Sequence, residues 1–272
     1  MIMRFIIALL FIPLFVVLVL LDNTIFYNIL IALSLFAALF EYSGMFKKAG
    51  IKVFTVINML FLAAVLFGFG QFRVHELNVM MIYRGFTLAI VYAACITVFS
   101  LFAKDIKESV LRIVFSFFGV FYIVLLGSSL ILVRNIGPYH TLFLFAVVWL
   151  YDSGAYFIGS KYGKTKMTPL ISPNKSVEGL VGGVFFTLIA ITLLKYIPFT
   201  SALVPYDKLG YIYFMVILLC LAAQSGDLLE SLLKRYCGVK DSSNLVPAHG
   251  GVLDKMDSFL IATPVYLLMA VL

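Results

Sequence analysis

Tyr211-Ile212-Tyr213-Phe214-Met215-Val216-Ile217-Leu218-Leu219-Cys220-Leu221-Ala222-Ala223 runs without a break into Gln224-Ser225-Gly226-Asp227-Leu228-Leu229-Glu230-Ser231-Leu232-Leu233-Lys234-Arg235. At about 100° per residue, Gln224, Asp227, Ser231, Lys234 and Arg235 share one helix face roughly 100° wide, with Glu230 at its edge. An ionised carboxylate in or near hydrocarbon costs kilocalories unless it is paired, hydrated or bound to a metal. The stretch therefore reads as a membrane-crossing helix whose polar end looks into a cavity and not into lipid.

The rest of the chain supports that reading. It is 63% hydrophobic and 12% charged, with a mean hydropathy of +1.11, far outside the range of soluble domains. Apolar runs long enough to cross about 30 Å of hydrocarbon recur throughout, and none shows the alternation of a transmembrane β-barrel. The expected fold is an all-α polytopic integral membrane protein. Its spans are predicted near 5–21, 25–46, 53–70, 79–103, 110–133, 138–160, 177–197, 209–236 and 253–272, about nine in all. The first is read as a retained anchor: its apolar run is too long for a signal peptide, and no cleavage site follows.

With the N-terminus in the cytoplasm, fifteen of the twenty Lys and Arg residues fall inside and five outside, as the positive-inside rule requires. Loops 160–176 and 236–252 then face the cytoplasm. Residues 1–133 are expected to supply support and lipid access, and 134–272 the catalytic region. Most of the net charge of +7 serves topology and attraction to anionic headgroups. No basic soluble domain suggests nucleic acid. Cys95, Cys220 and Cys237 lack the spacing of a disulfide framework or a zinc site.

The next span opens with Asp254 and Asp257, three apart and on one side. They could simply complement the helix dipole. Together with Asp227, however, they make three carboxylates able to converge without a His or Cys cluster, which favours a hard cation such as Mg²⁺. Lys234, Arg235, Lys240 and Asp241 lie in or beside the same loop. Glu230 and Lys234 are also spaced for an i,i+4 ion pair, whereas Asp227 has Ser231 at that position. Gly250-Gly251 permits close backbone approach to a ligand. His249, beside them, is read as a phosphate contact or hydrogen-bonding group more than as a base.

A second constellation precedes these. Asp152 sits inside the sixth span, and an intramembrane acid is a functional candidate by default. Ser172-Pro173 is predicted to start a helix, with Ser172 as cap and Asn174 and Lys175 beside an anion site. Glu178 is placed to hold Lys175. Gly179 and Gly183 have small-xxx-small spacing for helix packing.

The run Ser231-x-x-Lys234-Arg235-x₄-Lys240-Asp241 … Pro247-x-His249-Gly250-Gly251-x-x-Asp254-x-x-Asp257 resembles the signature of phosphatidate cytidylyltransferases, also called CDP-diacylglycerol synthases. Ser172-Pro173-Asn174-Lys175-Ser176-x-Glu178-Gly179 and Gly226-Asp227-Leu228-x-Glu230-Ser231 are similar to further stretches of that family. The likeness covers roughly the C-terminal half. It departs at Lys255, where the family usually has Arg: the charge survives but bidentate phosphate contact does not. Ala248 also replaces the commoner Gly.

The resemblance implies transfer of the cytidylyl group of CTP to phosphatidic acid, giving CDP-diacylglycerol and pyrophosphate. It also implies Mg²⁺, with room for a second cation, a homodimer, and a bacterial-type plasma membrane with the site facing the cytoplasm. The implied metal ligands are Asp227, Asp254 and Asp257. The implied phosphate-holding and catalytic residues are Lys234, Arg235, Lys240, Asp241 and His249. Substrate contacts fall on Asp152, Ser172, Asn174, Lys175, Glu178, Ser231, Gly250 and Gly251. The competing readings are a CTP-dependent polyprenol kinase, which would release CDP, and an ion-coupled transporter, which would call for paired broken helices in a repeated chain.

Overall fold

The computed structural model describes residues 12–70, 79–102, 105–245 and 250–271. It is 79% helical. In chain order the helices are α1 (residues 12–20), α2 (Ile25–Lys48), α3 (Thr55–Gly70), α4 (Val79–Ser100), α5 (Ile106–Ile136), α6 (Pro138–Tyr162), α7 (Val177–Tyr196), α8 (Leu209–Tyr236) and α9 (Leu253–Val271). Between α6 and α7 lies an antiparallel ribbon of β1 (Lys166–Thr168) and β2 (Ser172–Ser176).

Five of these helices, α2, α5, α6, α7 and α8, are long and apolar enough to cross a membrane. Shorter apolar helices cover Thr55–Gly68 and Arg84–Ser100. Residues 5–11 of the segment predicted at 5–21 lie outside the described residues.

The helix predicted at 110–133 is longer than its apolar run. Asp105 caps it, accepting a hydrogen bond from the Glu108 amide at 3.2 Å, and this adds a polar first turn. The same helix contains a π turn at Val120–Leu125. Such an insertion rotates the following face, and here Tyr122 is presented to α8, its hydroxyl 3.4 Å from the Gly226 carbonyl.

The helix predicted to begin at Ser172-Pro173 begins later. Ser172–Ser176 is extended and pairs with β1. Ser176 is the true cap, its hydroxyl accepting from the Gly179 amide at 3.1 Å. Ribbon pairing takes up the backbone that a helical turn would otherwise have used.

The interior is closed by large tyrosines. Tyr27, Tyr42, Tyr122, Tyr151 and Tyr266 are all fully buried. A buried hydroxyl needs a partner: Tyr27 bonds the Leu130 carbonyl at 3.3 Å, Tyr42 the Phe115 carbonyl at 2.8 Å and Tyr151 the Gln224 side chain at 2.7 Å. Near the start of α6, His140, Tyr206 and Tyr266 join in a knot, with Tyr206 to Tyr266 at 3.0 Å. The C-terminal ends of α2, α6 and α8 lie at the opposite end, together with the ribbon and the loop before α9.

Small residues set how closely the site-bearing helices meet. A Cβ on Gly183 would come within 3.0 Å of Ala155 on α6, as the small-xxx-small spacing predicts. Gly226 matters more, because a Cβ there would run into the Asp257 carbonyl and lie 3.2 Å from the Ser258 Cα. Gly226→Ala is therefore expected to push α8 from α9 beside Asp227 and Asp257. Stability should fall by about 1–3 kcal/mol. Thermal denaturation in detergent measures this, and an unchanged midpoint would contradict the close approach.

Candidate functional site

The polar half of α8 meets three neighbours, one on each part of its predicted face. Gln224, buried, takes the Tyr151 hydroxyl of α6. Asp227 forms an ion pair with Lys175 of the ribbon. The Ser231 hydroxyl lies 3.4 Å from an Asp227 oxygen. One turn on, Lys234 pairs with Glu230, as i,i+4 spacing predicts, and also with Asp254 of α9 at 2.7 Å. Arg235 closes the row, its Nε donating to the Ile171 carbonyl at 3.0 Å. The ribbon is thus fastened to α8 at two points, Lys175 and Arg235.

Glu178 does not hold Lys175. Its carboxylate accepts from the amides of Lys164 and Thr165, each at 3.1 Å. Those amides begin the ribbon just past the end of α6, where they have no helical partner. This frees Lys175 for Asp227, giving that acid the cationic partner its own helix lacks.

The carboxylates predicted to converge divide into two groups. Asp254 is turned toward the loop before α9. It accepts from the Gly251 amide at 2.7 Å, the Ser242 hydroxyl at 2.9 Å and the Ser242 amide at 3.0 Å, besides Lys234. Gly250 allows this turn: its φ is +83°, and a Cβ would lie 2.7 Å from Asp254 Oδ2. Asp257, by contrast, is buried and lies within electrostatic reach of Asp227 and Asp152. Asp152 in turn feels Lys175 and Lys255. Among the described residues, no three His, Cys, Asp or Glu side chains are close enough to form a ready ligand cluster. The donor chemistry of Asp152, Asp227 and Asp257, all oxygen, still suits a hard divalent ion. The ammonium of Lys175 supplies positive charge among them.

One residue escaped the sequence reading. Glu41 of α2 is 3% exposed, and its carboxylate accepts four hydrogen bonds from the far end of the chain. The donors are the Ser243 hydroxyl at 2.6 Å, the Leu253 amide at 2.8 Å, the Val252 amide at 3.0 Å and the Ser242 hydroxyl at 3.1 Å. It caps α9 from another helix. Its signal was available: a lone acid inside an apolar span is a functional candidate. The N-terminal helices, expected to supply support and lipid access, also contribute directly to the motif loop through Glu41.

The other predicted residues sit nearby. Lys240, Asp241 and Asn174 are exposed and Ser172 is half-buried. His249 lies outside the described residues. Cys237, at the end of α8, is 6% exposed. Burial pushes its thiol up to about 11, so it stays protonated near neutral pH and is no nucleophile.

Interlocked acids and bases at one end of an apolar helix bundle, beside a loop turned by glycine, make a polar site able to meet a charged ligand. The Cytidylyltransferase family profile matches residues 2–272, and the chain belongs to that family. The phosphatidate cytidylyltransferase of Bacillus subtilis (strain 168) is 45% identical over 144 residues, 51% of each chain. Those of Staphylococcus saprophyticus and Staphylococcus aureus (strain COL) are 45% and 43% identical over 132 residues, 48% of each chain. The chain thus spans about half the length of the curated relatives it matches.

Proposed function

We propose that this protein transfers the cytidylyl group of CTP to phosphatidic acid, releasing pyrophosphate and leaving CDP-diacylglycerol in the bilayer. The observation that carries the reading is the Lys175–Asp227 pair, which joins two separate motif stretches at one point beside Asp152 and Asp257. A phosphate oxygen of the lipid attacks the α-phosphorus of CTP. A new P–O bond forms as the bond to pyrophosphate breaks. The nucleophile is already ionised near neutral pH, so no strong base is called for; placement and charge neutralisation dominate.

The roles follow from what each side chain is free to do. Lys240 is exposed and offers an ammonium to phosphate. Arg235 keeps part of its guanidinium free beyond the ribbon. Lys175 can exchange Asp227 for a phosphate oxygen. Lys234 is committed to Glu230 and Asp254, so it holds α8 to α9. Asp241, Ser172, Asn174, Ser231, Gly250 and Gly251 are assigned as further substrate contacts, and His249 is kept as one on its motif position alone. Asp227 and Asp257, with Asp152, would hold Mg²⁺, and Asp254 serves the loop instead. When bound, the ion would neutralise triphosphate charge.

Topology belongs to the same reading. Nine crossings with the N-terminus inside place the ribbon and the loop before α9 in the cytoplasm, supported by the fifteen-to-five division of basic residues. The division into a supporting region, 1–133, and a catalytic region, 134–272, is kept with Glu41 as an exception. A homodimer rests on the family resemblance alone.

The test supplies purified protein with α-³²P-CTP, phosphatidic acid and Mg²⁺ in lipid micelles. Label is expected in the organic-soluble product, with pyrophosphate released. Release of CDP with a polyprenol acceptor, and no labelled lipid from phosphatidic acid, would instead establish a kinase.

A further inference from the structure

A cleft of about 480 Å³ opens between α2 and the loop 239–245. Phe40, Gly44 and Lys48 line it from α2, and Lys240, Ser243 and Leu245 face them. We propose that this cleft receives the phosphate monoester headgroup of an anionic membrane lipid, whose acyl chains lie along α2. The inference rests on the function proposed above and assigns a docking place to its lipid substrate.

Three observations carry it. The first is a stripe on α2: Phe26, Ile29, Leu33 and Phe40 are 55%, 50%, 64% and 62% exposed. Their spacings of three, four and seven residues put them on one helix face. That face continues through Gly44 to Lys48, and an acyl chain following it is led to the cleft. The second is charge. Lys48 and Lys240 are exposed, and among the described residues neither is in an ion pair. Asp241 also lines the cleft. Glu41 lines it too, but its carboxylate is engaged by four donors, so two ammonium groups and one uncommitted acid are left to meet a ligand, which suits a monoester and disfavours the larger charge of a nucleoside triphosphate. The third is shape. A Cβ added to Gly44 would meet nothing within 4 Å, so the floor of the cleft is open where a headgroup would rest. Apolar side chains at Phe40 and Leu245 beside cations at Lys48 and Lys240 offer both kinds of contact that a lipid makes at the interface.

Two variants and one probe test this. Phosphatidic acid carrying a diazirine on an acyl chain is placed in phosphatidylcholine nanodiscs with the protein, and labelled peptides are mapped by mass spectrometry. Residues 25–48 are expected to take several times more label from it than from the same diazirine on phosphatidylcholine, whose chains contact α2 only as bulk lipid. Gly44→Leu, which fills the cleft and favours helix, and Lys48→Glu should each reduce that labelling. Each should raise the apparent KM for phosphatidic acid about tenfold and leave the KM for CTP unchanged. Label elsewhere, or equal label from phosphatidylcholine, overturns the site. Loss of label on adding CTP or glycerol 3-phosphate also overturns it, since the cleft would then serve free phosphates. Labelling needs no turnover: labelled α2 without CDP-diacylglycerol formation leaves this site standing and rejects the reaction.

Discussion

Asp227→Asn is expected to lower cytidylyl transfer on the order of 10³-fold, comparable to losing a group that stabilises transition-state charge, while the purified protein remains folded. The side chain is partly exposed and makes no close-packed contact that the amide could not also make. What it loses is its charge. That charge balances Lys175 and, in the proposed mechanism, helps hold a divalent ion. A purely structural ion pair predicts a different pattern, in which removing both charges restores function. The double variant Asp227→Asn with Lys175→Met separates the two, assayed by label entering lipid beside thermal denaturation in detergent. Activity returning in the double variant would remove Asp227 from the chemistry.

Glu41→Ala should produce the largest loss of stability, about 2–4 kcal/mol, because it strands donors that water cannot easily reach. Two are the first amides of α9 and two are the hydroxyls of Ser242 and Ser243. Glu41→Gln keeps one acceptor and should lie between alanine and the native protein. Asp254 anchors the same loop from the other side, so the loop is expected to loosen without detaching. Thermal midpoints in detergent should rank native, glutamine, alanine. An alanine variant as stable as the native chain would falsify the anchoring role.

The helices were legible because apolar runs and their interruptions are local properties of the chain. The α7 and α8 boundaries fell where the hydropathy changed, and Glu230–Lys234 followed from helical spacing alone. What failed was non-local. Ser172-Pro173 carries a plausible cap pattern, yet its backbone is claimed by Lys166–Thr168 in a ribbon whose short strands have little periodicity to read. Glu178 was assigned to the nearest cation, while its actual partners are bare amides, which leave no mark in a sequence of side chains. Asp254 and Asp257 sit on one side of a helix, but that does not say where each carboxylate turns; Gly250 and Ser242 decide it for Asp254. Glu41 was missed because its partners lie about two hundred residues away.

That separation has a bearing on biosynthesis. Glu41 is made about two hundred residues before its four donors, so α2 enters the bilayer before anything exists to satisfy its carboxylate. Until α9 follows, the nascent chain carries an acid that favours neutralisation, water or a chaperone over hydrocarbon. Insertion of α9 therefore also completes α2, and a ribosome halted before residue 242 leaves that carboxylate with none of its four donors.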